Sequence, residues 1–434
     1  MNISFSKHTL ANGLDVLLHE DHGCPIVAVN LWYHVGSKNE QPGHTGFAHL
    51  FEHLMFEGSQ HYDRGYFEPL QGAGATLNGS TNADRTNYWE VVPPGALDLA
   101  LWMESDRMGY LLPALTEAKF ANQRDVVLNE RRQNYENRPY GLAPMALLAA
   151  LFPPDHPYHW TTIGEIADLQ AAHLDEVQAF FRRYYRPANA SIALAGDIDA
   201  EDALDLVGRY FGNLDPGEPA GPVRVPATLA RDVRIRFEDR VELPRLYLAW
   251  LSPAMFADGD ADLDLATDLL ANGKMSRLYR RLVFDERIAT DVSASQNSRE
   301  IAGYTQITAT AAPGHTLEEL EHAILEEVAR LALDGPTDAE IERGRVQAES
   351  QFMLRLQTVG GFGGKSDQLN AYNVFLGDPA YFDRDLARYQ DVIAASLKQA
   401  VSRYLDPKRR VTLSVVPQGR VALAAAGSEP AVVS

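Results

Sequence analysis

His49 and His53 stand four residues apart, with Glu52 beside the second histidine. In a helix, residues i and i+4 share one face, so two imidazoles at this spacing can bind a single metal ion. Glu52 is then within reach of a water held on that ion, and the chemistry implied is hydrolysis by metal-activated water. The flanks predict a buried helix: Phe47, Ala48, Leu50, Phe51, Leu54, Met55 and Phe56 are apolar nearly all round it. Thr45 is the expected N-cap and Gly58 the expected stop. Burying two imidazoles and a carboxylate there is costly unless something compensates them. Local hydrogen bonds would suffice for a lone histidine, whereas three polar groups in this geometry favour a cation.

A catalytic zinc site takes three protein ligands and leaves a fourth position to water, so a further ligand is needed. Glu130 is the candidate. A helix predicted over 116–135 carries Phe120, Gln123, Val127, Glu130 and Asn134 on one stripe. Glu130 therefore either turns inward with Phe120 and Val127 or lies at the helix edge, paired with Arg131 or Arg132. Spacing alone leaves both readings open.

The segments 46–58 (GFAHLFEHLMFEG), 74–81 (GATLNGST), 86–93 (TNYWEVVP) and 185–197 (YRPANASIALAGD) resemble the pitrilysin/insulinase family of zinc metallopeptidases. These are inverzincins, whose H-x-x-E-H order reverses the commoner H-E-x-x-H. The family includes bacterial processing-peptidase-like subunits and the mitochondrial processing peptidase. The 76 residues between His53 and Glu130 match the interval at which the family places its third ligand. The resemblance implies one Zn2+ per chain held by His49, His53 and Glu130, with Glu52 as catalytic base. It also implies that 74–80 is an edge strand that binds peptide, with Asn78 and Gly79 near the scissile bond. An ordinary asparagine turn is the plainer reading of Asn78.

Two departures from the family pattern stand out. Gln123 occupies a position usually held by a second glutamate and is expected beside the ligands, able to hydrogen-bond but not to carry charge. Val283 and Thr290 stand where the family keeps an arginine and a tyrosine that hold substrate; Tyr279, Arg281 and Arg287 are nearby but out of register. The resemblance thus implies a zinc-bearing subunit of a heterodimer, whose homologous partner supplies the arginine and tyrosine. The competing expectations are a non-catalytic structural subunit of the same fold and a peptide-binding subunit that keeps the metal.

At 434 residues the chain is too long for one core. A net charge of −20 argues against nucleic acid and anionic membranes as partners, and a solvated acidic surface is a plainer reading of it than a preference for basic peptides; a peptide substrate is what the resemblance implies. Cys24 is the single cysteine, which excludes an internal disulfide and suggests a buried thiol. The amino-terminal residues lack the basic start and apolar run of a secretory signal. The longest apolar stretch, 145–152, is too short to span a bilayer. A cytoplasmic protein is expected.

The elements that must position the site follow from periodicity. A turn at 11–13 joins two strands, 26–35 alternates with Val27, Val29, Leu31, Tyr33 and Val35 on one face, and 75–80 and 88–92 read as extended. Helices are expected near 95–109, 116–135 and 166–184, then a strand at 190–195 and a helix to 211. Pro216, Gly217, Pro219, Gly221, Pro222 and Pro226 mark a linker. Strands are expected again near 232–240, 245–251, 289–311 and 410–416, with helices between, and the tail beyond 418 is expected to be loose at its end. The expected fold class is α+β: a zinc-binding domain (1–213), a linker (214–231) and a second domain of similar fold without the metal motif (232–434). Each carries a mainly antiparallel sheet packed by helices, and the resemblance implies that the two close like a clamshell. The segment 360–366 (GGFGGKS) looks like a phosphate-binding loop but lacks the first glycine, since Val359 stands there. It is expected to be an interhelical turn.

Overall fold

Strand-forming runs rich in Val, Leu, Ala and aromatic residues build two six-stranded sheets in the computed structural model, which describes residues 3–431 and 433. The first sheet contains β1 (Ser6–Thr9), β2 (Asp15–Glu20), β3 (Val27–Tyr33), β4 (Thr76–Thr81), β5 (Thr86–Val92) and β6 (Ala190–Gly196), in the order β1-β2-β6-β3-β5-β4. All neighbours are antiparallel except β2 and β6. The second contains β7 (Val233–Asp239), β8 (Arg245–Ser252), β9 (Ala289–Asn297), β10 (Gly303–Ala311), β11 (Val411–Pro417) and β12 (Glu429–Pro430), in the order β12-β7-β11-β8-β10-β9. Setting aside the outer strands β1 and β12, the two orders are the same permutation, with the parallel pair in the same place. The α+β class and the duplicated plan therefore agree with the expectation from sequence.

The chain forms two compact units, each assembled from separate segments. The first comprises Met1–Asn129, Thr162–Val223 and Gln351–Arg384; the second comprises Glu130–Thr161, Arg224–Ser350 and Asp385–Ser434. In the first unit every residue of β3 is buried, not just the alternating set. The reason is the helix Lys365–Leu376, which covers the opposite face. Its Asp367 accepts hydrogen bonds from Asn30, Trp32 and Asn87 at 3.3, 2.9 and 3.1 Å. The glycine segment before this helix is the expected interhelical turn, and Gly360 sits so close to the sheet that a Cβ would lie 2.6 Å from Ala28 and Val91.

Several local expectations change. The motif helix runs Phe47–Leu54 and its N-cap is Gly46, at φ 87°, rather than Thr45. Thr45 instead donates its hydroxyl to Asp168 at 2.7 Å. The carboxylate of Glu40 does the capping, accepting the N–H groups of Gly46 and Ala48 at 3.0 and 2.9 Å. Sequence pattern misses this because the cap comes from a folded loop, not from the preceding residue. Cys24 is exposed rather than buried. The helix expected over 166–184 breaks into Ile166–Ala171 and Leu174–Tyr184. The carboxyl-terminal segment is tied to β7 by Glu429–Pro430 and by the Ala431 N–H; Val432 and Ser434, at the end expected to be loose, lie outside the described residues. Among the described residues no helix is long and apolar enough to cross a membrane.

Candidate metal centre

The motif helix is fixed from three sides. Leu50, Phe51, Leu54 and Met55 have no exposed surface, and burying each such side chain stabilises its position by about 1.5–3 kcal/mol. At the amino end the backbone of Gly46 meets that of Gly164 so closely that a Cβ on Gly164 would lie 2.5 Å from it. On the flank, the Tyr88 and Tyr185 hydroxyls reach the carbonyls of Phe51 and Ala48 at 3.4 and 3.5 Å. Beneath these lies a fully buried ion network. Arg107 bonds Glu104 and Glu90 and lies over the rings of Tyr66 and Tyr88 at 3.9 and 4.1 Å. Burial and the nearby Glu104 push the Glu90 carboxyl well above the usual range.

On this helix the His49 and His53 rings lie 4.9 Å apart and perpendicular. Glu130 comes from the last turn of the helix Glu117–Arg131. One ligand atom from each of His49, His53 and Glu130 lies within 4.8 Å of the others. This is the inward reading of Glu130. Two imidazoles and a carboxylate form a donor set suited to zinc, with room for one more ligand. Burial, then the neighbouring His53, pulls the His49 imidazole down to about 3, so it is neutral at physiological pH. That is the state a ligating histidine requires. By residue type, spacing and protonation, the group fits a zinc ion.

The remaining expected site residues fall as follows. Glu52 is half-buried on the motif helix. Asn78 and Gly79 lie on β4, which is an edge of the first sheet. Asn78 is exposed, opposite Trp89 of β5, while Gly79 is buried where a Cβ would meet Tyr88 at 3.0 Å and Phe56 at 3.2 Å. Gln123 is turned to Glu57 and donates its amide to that carboxylate. Val283 and Thr290 belong to the second unit, where Thr290 bonds the Thr310 carbonyl at 3.4 Å. Arg281 is held by Glu286, Glu326 and Glu327 at 2.7, 2.6 and 3.2 Å, which leaves it poorly placed to stand in for an arginine at 283.

Sequence reasoning passes over Arg85. It sits in the turn joining β4 to β5, organised by the Asn82 side chain accepting the N–H groups of Asp84 and Arg85. Its guanidinium bonds the Ser80 carbonyl at 2.8 Å and lies over Trp32 at 5.2 Å. Burial lowers its pKa, while Asp367, Glu52 and Asp84 raise it. The edge strand thus has a cation that feels the Glu52 carboxylate. The Asn-Ala-Asp-Arg turn between two strand-like runs is the signal that could have drawn attention to it.

In the second unit the matching helix, Asp260–Ala271, also starts from a left-handed glycine, Gly259 at φ 91°. Counted from that glycine, the positions of His49, Glu52 and His53 are Asp262, Leu265 and Ala266. The fold is duplicated and the ligands are not. Among the described residues, the His49–His53–Glu130 group is the one cluster with metal-binding spacing.

Known proteins share this plan. The sequence profile of the insulinase family (peptidase family M16) matches residues 15–156, which include His49, Glu52, His53 and Glu130. The profile described as the peptidase M16 inactive domain matches residues 171–347. The chain is 26% identical over 415 residues to the zinc protease PqqE of Helicobacter pylori, spanning 94% of this chain and 92% of that protein. It is 25% identical over 418 residues to the probable mitochondrial-processing peptidase subunit beta of Arabidopsis thaliana, spanning 92% and 76%. Among solved structures it is similar to a protease from Helicobacter pylori, with a TM-score of 0.87 at 25% identity over 96% of this chain and 100% of that one.

Proposed function

Because the chain belongs to the insulinase family of peptidases, family M16, we infer that it is a zinc-dependent endopeptidase acting on peptides or unfolded polypeptide segments. The observation that carries this reading is the convergence of His49, His53 and Glu130 from two helices distant in sequence. These three would hold the ion. Bound zinc supplies Lewis acidity, lowering the pKa of a coordinated water to about 7 and polarising a carbonyl. Glu52 takes the proton released by the attacking water and delivers it to the departing amine. The open side of β4 offers N–H and C=O groups to an extended peptide, which would add as a further strand with little demand on its sequence. Asn78, exposed on that strand, orients the peptide by hydrogen bonding, and Gly79 lets the strand lie against Tyr88 and Phe56.

The experiment is to measure zinc content and cleavage of an unstructured peptide for the wild type and Glu52→Gln. The variant is expected to retain zinc and to lose at least a hundredfold in kcat, in keeping with the roughly 10²–10⁴-fold contribution of a general base. Near-wild-type turnover in that variant would remove Glu52 from the mechanism, and absence of zinc from the wild type would remove the reading altogether.

Val283 and Thr290 support a refinement: the chain acts as the metal-bearing subunit of a heterodimer whose homologous partner completes the substrate grip. The same two residues, with the match of 171–347 to an inactive domain, favour a second reading, a non-catalytic or peptide-binding subunit. That reading requires wild-type protein with bound zinc to leave peptides uncut, alone and with its partner.

A further inference from the structure

Immediately after Glu130 the backbone becomes irregular twice. The helix relaxes into a π-helical turn, Arg132–Glu136, a feature that concentrates at functional sites. Tyr140 then adopts φ 60°, a left-handed conformation that is strained for a bulky side chain. Both irregularities are held firmly. A Cβ on Gly141 would lie 2.1 Å from the Tyr135 carbonyl, so the turn folds tightly against the π-helical segment. The Tyr140 N–H donates to Asp239 at 2.7 Å and its hydroxyl to the Leu243 carbonyl at 2.8 Å.

This strained tyrosine forms one wall of a cavity of about 360 Å³, lined also by Tyr135, Arg138, Arg245 and Tyr247, all within the second unit. The Arg245 guanidinium lies over the Tyr140 ring at 3.7 Å, and its Nε donates to Thr310 at 2.7 Å. Its position is therefore set before any ligand arrives. Tyr247 also hydrogen-bonds Arg245. Two carboxylates lie close by: Asp291 is 3.9 Å from an Arg245 nitrogen, and Asp239 is engaged by Tyr140. Among the described residues, no acid lines the cavity itself. In a chain of net charge −20, the lining of this cavity is distinctive in presenting two guanidiniums and three phenols, with the two carboxylates set behind it. A stacked, pre-oriented arginine matches a planar carboxylate.

We propose that the Tyr135–Arg138–Tyr140–Arg245–Tyr247 cavity binds a carboxylate of the peptide substrate, either its terminal group or an acidic side chain. The assignment rests on the peptidase reading for its occupant, and on the cavity alone for its chemistry. Tyr135 is five residues beyond Glu130 on the same rod, roughly 7 Å of helical rise.

The test uses the full zinc-loaded chain and two pairs of unstructured decapeptides. One pair differs by a free or amidated carboxyl terminus, the other by Glu or Gln near the cleavage point. In the wild type at least one charged peptide is expected to show a KM about tenfold below that of its neutral twin, as for one charged hydrogen bond. The pair that discriminates identifies the source of the carboxylate. The ratio is expected to fall towards one in Arg245→Ala and in Arg138→Ala. Arg138 is exposed, so its variant reads the site without risk to folding, and melting curves check both. Equal KM values within both pairs, or a preference that survives both substitutions, would overturn the proposal. If the wild type cleaves none of the peptides, alone or mixed with a homologous partner subunit, the peptidase reading fails on its own, and calorimetric binding of the same pairs still decides the cavity.

Discussion

Gln123 shows how one side chain accommodates another around the centre. The position resembles one where relatives carry glutamate, but here the amide donates to Glu57, four residues beyond His53 in the turn that follows the motif helix. A second carboxylate at 123 would face the first within hydrogen-bonding distance, and like charges that close cannot both ionise cheaply. Gln123→Glu is therefore expected to cost about 1–3 kcal/mol above neutrality. The shared site would raise a carboxyl pKa above its unfolded value, so the lost stability should return as pH falls towards 5. Thermal melts of wild type and variant at pH 5 and pH 8 measure this, and an equal melting temperature at pH 8 would contradict it. Glu52, His49 and His53 were legible as residues because helical spacing alone puts them on one side. Glu130 was legible only as one of two readings, since orientation along a helix stripe does not reveal what that stripe meets.

Helices and strands set the precision of these residues through contacts made far away in the chain. Glu40 caps the motif helix through two backbone N–H groups, so Glu40→Ala leaves buried donors unsatisfied next to His49. The expected result is weaker zinc binding by about tenfold or more, the usual range for supporting partners of a metal ligand, with metal titration as the readout. In the second unit the helix Asp260–Ala271 contains Asp264, which accepts a hydrogen bond from Tyr389 at 2.6 Å. Burial pushes its carboxyl up to about 7, against the opposing pull of that hydrogen bond and with help from Asp260 and Asp268. The folded state thus binds a proton that the unfolded chain releases near pH 4. Its stabilising contribution is full below about pH 4 and is lost as pH rises through about 7. Asp264→Asn is expected to flatten the decline in stability between these limits, by denaturant melts across the range; an unchanged slope would show that the proton does not matter. Neither effect could be foreseen from periodicity, because Glu40 and Asp264 occupy positions where a surface carboxylate looks equally natural.

At the scale of the whole molecule, one strand plan occurs twice, and only one copy carries histidines after its left-handed glycine. A second copy of the plan without the ligands keeps the fold without the means to bind the metal, because function lives in the site and not in the fold. With Val283 and Thr290 in that half, activity is expected to rise at least tenfold when the chain is mixed with a homologous subunit carrying arginine and tyrosine at the matching positions. Full activity of the purified chain, with no gain on mixing, would show it to be self-sufficient.

Local order along the chain was enough to give the metal motif, the α+β class, the extended character of 75–80 and the repeated run of strands, whereas the edge position of 74–80 came only from the family resemblance. Each depends on periods of two or three to four residues, or on turn residues whose backbone preferences act locally. Contacts between distant segments were decided only on folding. They turn Glu130 towards two imidazoles 77 and 81 positions earlier, bring Asp367 onto β3, and stack Arg245 on a strained tyrosine. Such contacts depend on which faces meet after hydrophobic burial has closed the long loops between them, and no short-range pattern encodes that meeting.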